Sequence, residues 1–401
     1  MEMFNQNETV DALVKRIFYV DDITAGTMQQ GYLRRYRGHL VSTDSVQAYD
    51  QLSQALQPYH MTPLFRKDEK TQLILLIPEL PEPRPVRNWI NLLMFVLTII
   101  SVLISGALFT SSGLTTLPSD PLQLVLTVLE TGWPFAVSLI AILGIHEMGH
   151  YLAGRAHGVR VTLPFFIPLP FTSLGTLGAF ISMQSPPKNK RVLMDIGAAG
   201  PLAGFVVSIV VLWIGLSMSK LETIPLAIPT GQALQMEGNS LVYLLMKYLR
   251  FGMLLPQPAS LGGTSLWLHW LRYFFTGQPS PLGSLDVTVS PVAWAGWVGL
   301  LVTSLNLIPA GQLDGGHIFH LLFGQKSARA LLPAVLMVLV GLGFFWSGWW
   351  FWAFFVFLFG RSYAEPLDQI TELDGKRRWL GILSLIVFIV TFSPIPLVLL
   401  S

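Results

Sequence analysis

The chain has 401 residues, of which 52% are hydrophobic and only 12% charged, and its mean hydropathy is +0.55. That is too apolar for a soluble protein of this length and points to a membrane protein. A net charge of +2 with no Lys/Arg-rich run excludes a nucleic-acid backbone as partner, and the absence of cysteine excludes disulfides, thiolate catalysis, iron–sulfur clusters and Cys-ligated zinc.

Charge concentrates toward the N-terminus, where residues 1–88 hold 10 of the 25 Lys/Arg and 11 of the 23 Asp/Glu. MEMFNQNETV carries two acids with no apolar run behind it, so insertion is expected from internal spans rather than from a signal peptide. Asp44 or Ser45 can cap a helix running to about Gln57, with Val46, Leu52 and Leu56 as its apolar stripe. TQLILLIP at 71–78 follows the charged turn RKDEK and reads as a strand, with GHLV at 38–41 as its expected partner. PELPEPRPVR at 78–87 is a Pro- and charge-rich linker.

Beyond the linker the composition is that of a bilayer protein. Spans are expected near 89–110, 133–154, 194–218, 291–309, 331–345, 347–360 and 380–400, the 331–360 stretch being read as two short crossings. VTLPFFIPLPFTSLGTLGAFI at 161–181 is apolar but interrupted by Pro164, Pro168, Pro170, Gly175 and Gly178, which suits a re-entrant loop or membrane-edge hairpin. DIGAAGPLAG opens the third span, with Gly197, Gly200 and Gly204 permitting close helix contact. LVYLLMKYLRFGMLL at 241–255 reads as an interfacial helix, because Lys247 and Arg250 interrupt it. Arg84 and Arg87, then Arg155, Arg160, Lys188, Lys190 and Arg191, then Lys326, Arg329, Arg361 and Lys376 to Arg378 border alternate span ends, while Asp120 and Glu130 fall before the second span. The pattern places the N-terminus, His146 and Asp314 on the cytoplasmic side.

HEMGH at 146–150 is His-Glu-x-x-His inside a span. On a helix the two imidazoles share a face one turn apart and can reach one ion, and Glu147 beside them is placed to move a proton rather than to ligate. An ionisable group at bilayer depth costs about 2.5–3.5 kcal/mol even on the lenient insertion scale, so three together need a shared reason, and a metal supplies one. A hydrolytic zinc site also needs a third protein ligand and an open position. Asp195 and Asp314 are the carboxylates near span ends on the same side, and His317 is a rival. Asp314 lies in NLIPAGQLDGGH, 306–317, where Pro309 and Gly311 break the helix and Gly315 and Gly316 let the chain turn inward. Asn306 at the start of that passage can hold a substrate carbonyl or a water, or make a packing hydrogen bond.

These passages together resemble the site-2 protease family of intramembrane zinc metalloproteases, peptidase family M50, nearest to the photosynthetic branch that includes the plant chloroplast EGY proteins and cyanobacterial homologues. HEMGH, GTLGAFI at 175–181, GAAGPLAG at 197–204 and NLIPAGQLDGGH carry the likeness, which covers residues 89–320 most strongly. The resemblance implies one Zn2+ per chain held by His146, His150 and Asp314, with Glu147 as general base and acid and Asn306 on the oxyanion or substrate side. It also implies that Gly175, Thr176, Leu177 and Gly178 lie where an unwound substrate adds as a strand. Some relatives in this branch have lost the zinc motif, which is whole here. The PDZ domain of many bacterial members has no counterpart in 219–289.

The expected architecture is a polytopic α-helical membrane protein with a site-2 protease-like core, a short β or re-entrant segment and a small α+β N-terminal soluble domain. That domain, residues 1–88, precedes a transmembrane metalloprotease domain, residues 89–401. The expected activity is hydrolysis of peptide bonds in or near the transmembrane segments of a membrane-protein substrate, in an inner, plasma or thylakoid membrane. A non-proteolytic scaffold or chaperone is the alternative. A cation transporter fits less well, since it needs polar ligands spread through the bilayer depth.

Overall fold

The computed structural model describes residues 2–68, 71–82, 87–110, 120–170, 172–228, 234–258 and 260–400, with the side chains of 2–6 and 28 outside that description. Glu69 and Lys70 of the charged turn, Arg84 of the linker and Phe171 of the broken apolar segment lie outside the described residues.

The N-terminal domain runs α1 (Glu2–Lys15), β1 (Phe18–Ala25), β2 (Arg34–Leu40), α2 (Ser45–Leu56), β3 (Met61–Asp68) and β4 (Thr71–Pro78). Its antiparallel sheet has the order β1-β2-β4-β3, so β4 and β2 are partners through the GHLV region as expected, and β3 is the hairpin mate. Asp44 is the cap of α2, its Oδ1 accepting from the Gln47 N–H at 3.1 Å. The buried stripe of α2 is Ala48, Tyr49, Leu52 and Leu56; Val46 is only half-buried. It packs on Phe65, Ile74 and Leu76, which alternation along β3 and β4 turns to one face.

The helical part follows as α3 (Asn88–Thr110), α4 (Pro121–Ala156), a hairpin of β5 (Phe165–Pro168) and β6 (Thr176–Phe180), and α5 (Lys190–Met218). Next come β7 (Lys220–Thr223), β8 (Leu234–Glu237), α6 (Leu241–Phe251), α7 (Leu266–Thr276), β9 (Leu285–Thr288) and α8 (Pro291–Asn306). The chain closes with α9 (Asp314–Leu342), α10 (Gly348–Phe359), α11 (Gly375–Thr391) and β10 (Leu397–Leu400). Among the described residues four helices, α3, α4, α5 and α9, are long and apolar enough to cross a membrane. α8 has 16 residues, about 24 Å of helix, and is buried without a break from Ala293 to Leu301. It is the central rod of the bundle. Gly215 and Gly296 let α5 and α8 meet at backbone distance, since a Cβ on either would stand 2.1 or 2.6 Å from the facing main chain.

Several expected boundaries move. α4 starts at Pro121, so Glu130 lies within the helix and not in a loop. Its Asp120 cap and its apolar sequence extend it over 36 residues, and Pro134 does not end it. The expected 331–345 crossing is the later part of α9, which begins at Asp314 and kinks at Gly324, where φ is +83°. The expected last crossing, 380–400, ends as a helix at Thr391, because Pro394 and Pro396 cannot continue it. The chain then pairs as β10 with β8. Lys376 to Arg378 sit in the first turn of α11.

A strap over residues 361–374, between α10 and α11, fastens the N-terminal domain to the helices. Phe65 N–H donates to Leu367 O and Gln369 N–H to Phe65 O, each at 3.0 Å, while the Leu367 and Asp368 amides donate to Pro187 O and Lys188 O at 3.0 and 2.8 Å. The strap thus bonds β3 on one side and the lead-in to α5 on the other. Glu372 bridges Lys67 of β3 and Lys190 of α5 at 3.2 and 3.4 Å, and Arg66 donates to Leu367 O at 2.8 Å.

At the opposite end, residues 219–289 form a small module containing a buried charge cluster. Lys247 is fully buried, 3.5 Å from Asp286, and Tyr243 donates to Glu237 at 2.6 Å. The expected interfacial helix therefore turns its lysine inward, and His269 is buried against Tyr273. Burial, and then the neighbouring Asp286 charge, push the Glu237 carboxyl up to about 7, with Lys247 and Tyr243 pulling the other way. The folded carboxyl thus keeps a proton that the unfolded chain releases near its ordinary value of 4.5. Its contribution to stability is full below that value and is lost as pH rises toward 7. Amide exchange in β8 and α6, corrected for intrinsic rate, is expected to be slower at pH 5 than at pH 8. Glu237→Gln should abolish that difference.

Candidate metal centre

α4 ends in HEMGH, and helical periodicity puts His146 and His150 on one face, where both are buried. That face meets α5 where two glycines leave room for the rings. A Cβ on Gly200 would stand 2.1 Å from His150 Nε2, and one on Gly204 would stand 2.9 Å from His146 Nδ1. The glycine face expected to allow close helix contact is thus also the cradle of the two imidazoles.

The third group arrives from another part of the chain. α8 stops at Asn306, and the turn that follows needs Gly311 at φ +57°, where the backbone of Phe359 leaves no room for a side chain. α9 then begins at Asp314. Asp314 Oδ2 lies 3.3 Å from His150 Nε2 and 3.6 Å from His146 Nε2, and the two Nε2 atoms are 3.3 Å apart. Ligands held about 2.0–2.1 Å from a tetrahedral zinc ion are about 3.3–3.4 Å from one another. The observed triangle has that size, and the three residues could hold a metal ion.

The hydrogen bonding of His150 fits the same use. Its Nδ1 is 2.7 Å from the carbonyl oxygen of Ile196 on α5. A carbonyl only accepts, so Nδ1 carries the proton, and the neutral ring then has an Nε2 lone pair for an ion held between it, His146 and Asp314. The Ile196 carbonyl is a functional group that the sequence does not reveal, because any residue offers one.

Glu147 is buried next to the two imidazoles, and the backbone amide of Ile181, directly after β6, lies beside its carboxylate. Asn306 brings its amide nitrogen to 3.3 Å from His146 Nε2. Of the four residues expected to receive substrate, Gly175 and Gly178 take φ of +72° and +104°, Thr176 is buried with its hydroxyl donating to Ile167 O at 2.7 Å, and Leu177 is exposed. Ser101 of α3 donates to Gly175 O at 2.5 Å, tying the hairpin to the bundle.

The rival ligands lie elsewhere. His317 Nδ1 accepts from the Ala364 N–H of the strap at 3.3 Å. Asp195 is paired with Arg377 and with His157 at 2.6 and 2.9 Å. His157, the C-cap of α4, thus reaches across to Asp195 on α5.

Comparisons with known proteins agree with this geometry. The model of Peptidase family M50 matches residues 134–346, more than half of the 401-residue chain, and the matched stretch contains all three candidate ligands, Glu147 and Asn306. The chain is 32% identical over 343 residues to "Probable zinc metalloprotease EGY1, chloroplastic" of Oryza sativa subsp. japonica, covering 80% of this chain and 53% of that protein. It is 28% identical over 406 residues to "Probable zinc metalloprotease EGY2, chloroplastic" of Arabidopsis thaliana, covering 97% of this chain and 65% of that one. Against the Arabidopsis thaliana EGY1 protein, identity is 30% over 340 residues, with 80% and 56% covered. The chain therefore spans between about half and two thirds of the length of these relatives. No solved structure matches it. On the family match and the site inside it, the chain belongs to peptidase family M50.

Proposed function

We propose that this chain is an intramembrane zinc endopeptidase that cuts membrane-protein substrates within or beside a transmembrane segment, near the end of the bundle that carries the N-terminal domain. The observation that carries the reading is the triangle of His146, His150 and Asp314, with the far nitrogen of His150 tied to Ile196 and the near one turned toward the other two groups. The M50 match and the metalloprotease names of the relatives support it.

The same reading makes α3, α4, α5, α8, α9, α10 and α11 successive crossings. The N-terminal domain, the strap and the metal group then share one face, and β8 and β10 share the other, which supports that count. Arg155, Lys188, Lys190, Arg191, Arg361 and Lys376 cluster at the metal end, supporting a cytoplasmic or stroma-like orientation for it. The chloroplast relatives favour a thylakoid-type membrane.

Zinc bound here supplies an acidified water and a polarised scissile carbonyl. Glu147 takes the proton of the attacking water and gives it to the departing amine. Asn306 offers N–H groups toward the carbonyl oxygen as it gains charge. A helical substrate has its peptide groups bonded within itself, so it must unwind before it is cut, and its freed N–H and C=O groups then need partners. Among the described residues β6 pairs only with β5, and its other edge suits that task. Because Ile181 follows β6 and adjoins Glu147, a strand added there would lie next to the proton carrier. Residues 175–178 fix the turn that aims this edge.

Three outcomes are expected. Glu147→Gln should keep zinc yet lower cleavage of a co-expressed single-span substrate by roughly 10²–10⁴-fold, read as loss of the product fragment on immunoblots; undiminished cleavage would end the protease reading. Asp314→Ala should not retain stoichiometric zinc by elemental analysis after purification. Gly200→Ala, which drives a methyl group into the His150 ring, should weaken zinc binding at least tenfold in competition with a chelator while the purified protein stays helical by circular dichroism.

A further inference from the structure

The carbonyl that orients His150 belongs to the residue after Asp195, and the Asp195 carboxylate is bonded by two other side chains. It accepts from Arg377 through both oxygens, Nε to Oδ1 at 2.9 Å and Nη2 to Oδ2 at 2.6 Å. His157 Nε2 reaches the same Oδ2 at 2.9 Å. The remaining guanidinium arm, Nη1, donates to Asp374 Oδ2 at 2.5 Å, and Asp374 Oδ1 caps α11 through the Arg377 N–H. Three helices therefore meet on one carboxylate: α4 at its C-terminal end through His157, α5 through Asp195 itself, and α11 through Arg377.

The helices joined there are the two whose relative position sets the metal group. α4 carries His150, and α5 carries the Ile196 carbonyl that takes the Nδ1 proton. Their contact is unusually close, since a Cβ on Gly149 would stand 2.7 Å from Ala199 O. A surface of glycine and alanine has few side chains to interlock, so packing alone resists sliding along the helix axis weakly. A slide of about an ångström would break the 2.7 Å hydrogen bond and free the imidazole to turn. The His157 contact ties α4 to the Asp195 carboxylate, and the forked pair with Arg377 holds that carboxylate in place for it, because two parallel bonds fix direction as well as distance.

We propose that Arg377 and Asp195 are positioning residues for the metal centre: the pair, with His157, sets the register of α5 against α4 and so holds the Ile196 carbonyl on His150. The inference rests on the metal-site reading above and deepens it. The merely structural role for Arg377 is anchoring the start of α11.

The test uses the full-length protein in lipid nanodiscs loaded with one equivalent of zinc. Zinc loss to excess 4-(2-pyridylazo)resorcinol is followed by absorbance, and the visible spectrum of the cobalt-substituted protein is recorded in parallel. Arg377→Ala and Asp195→Asn should lose zinc about tenfold faster than wild type, the low end for groups that orient a histidine ligand, with an altered cobalt band. Arg377→Lys, which keeps the charge but not the fork, should fall between. Asp374→Asn leaves the Asp195 fork in place and should match wild type in both readouts. A wild-type rate and spectrum for Arg377→Ala would overturn the proposal. So would an Asp374→Asn protein that loses zinc as fast as Arg377→Ala, because the effect would then run through α11. His150→Ala is the reference: a wild-type protein that holds zinc no longer than that variant would overturn the metal reading and the positioning role with it.

Discussion

The constraint on which the structure turns is the burial of two imidazoles and a carboxylate among apolar helices, with a second carboxylate half-buried against them. Glu147 and the two histidines come from one helix and Asp314 from another, more than 160 residues later in the chain. None of these groups is stable alone at such a depth. They become tolerable together, with Asp314 set against two rings and His150 giving its second nitrogen to a carbonyl. Much of the surrounding architecture serves that arrangement. Glycines on α5 make room for the rings, α8 is buried on all sides so that its end can deliver Asn306 and the turn to Asp314, and Gly311 lets the backbone double back beneath Phe359.

Polar chemistry is sorted to the two ends of the bundle, and the ends differ in kind. At the metal end the charges are paired across elements distant in sequence: Lys67 with Glu372, Lys190 with Glu372, Arg377 with Asp195. At the other end Lys247, Asp286, Glu237 and Tyr243 form a closed group inside residues 219–289. The first set joins modules, whereas the second holds one module together. Only the first can pass a displacement of the N-terminal domain to the ligand helices, because the strap runs from β3 into the cap of α11.

Much of the candidate metal site was legible in the sequence because its chemistry needs particular side chains at particular spacings. HEMGH places two groups by helical period alone; the residues left Asp195, Asp314 and His317 open as the third, and the family resemblance pointed to Asp314. The partners of those groups were not legible. The Ile196 carbonyl is a main-chain atom, and the Asp195–Arg377 pair joins positions 182 residues apart with nothing local to mark it. Hydropathy located the helical segments but misjudged their ends. It cannot see that Asp120 caps α4 well before the expected start at 133, nor that two prolines turn the last apolar residues into a strand. In the N-terminal domain α2 and β4 carried clear periodicity. By contrast, α1, β1 and β3 mix polar and apolar residues, and their burial depends on neighbours brought by the fold. Lys247 was misplaced for the same reason: its buried partner, Asp286, comes from β9, an element remote in sequence.

The strap has a bearing on how the molecule is made. Every candidate ligand precedes residue 315 in the chain, whereas the backbone bonds that fasten the N-terminal domain to the strap need residues 365–372. Of the ties between that domain and the helices, the Lys188–Asp50 pair can form earlier, and the strap completes the attachment only after most of the helical bundle has been made. Assembly thus closes from the late end of the chain backward, with the candidate ligand set in hand before the last fastening is made.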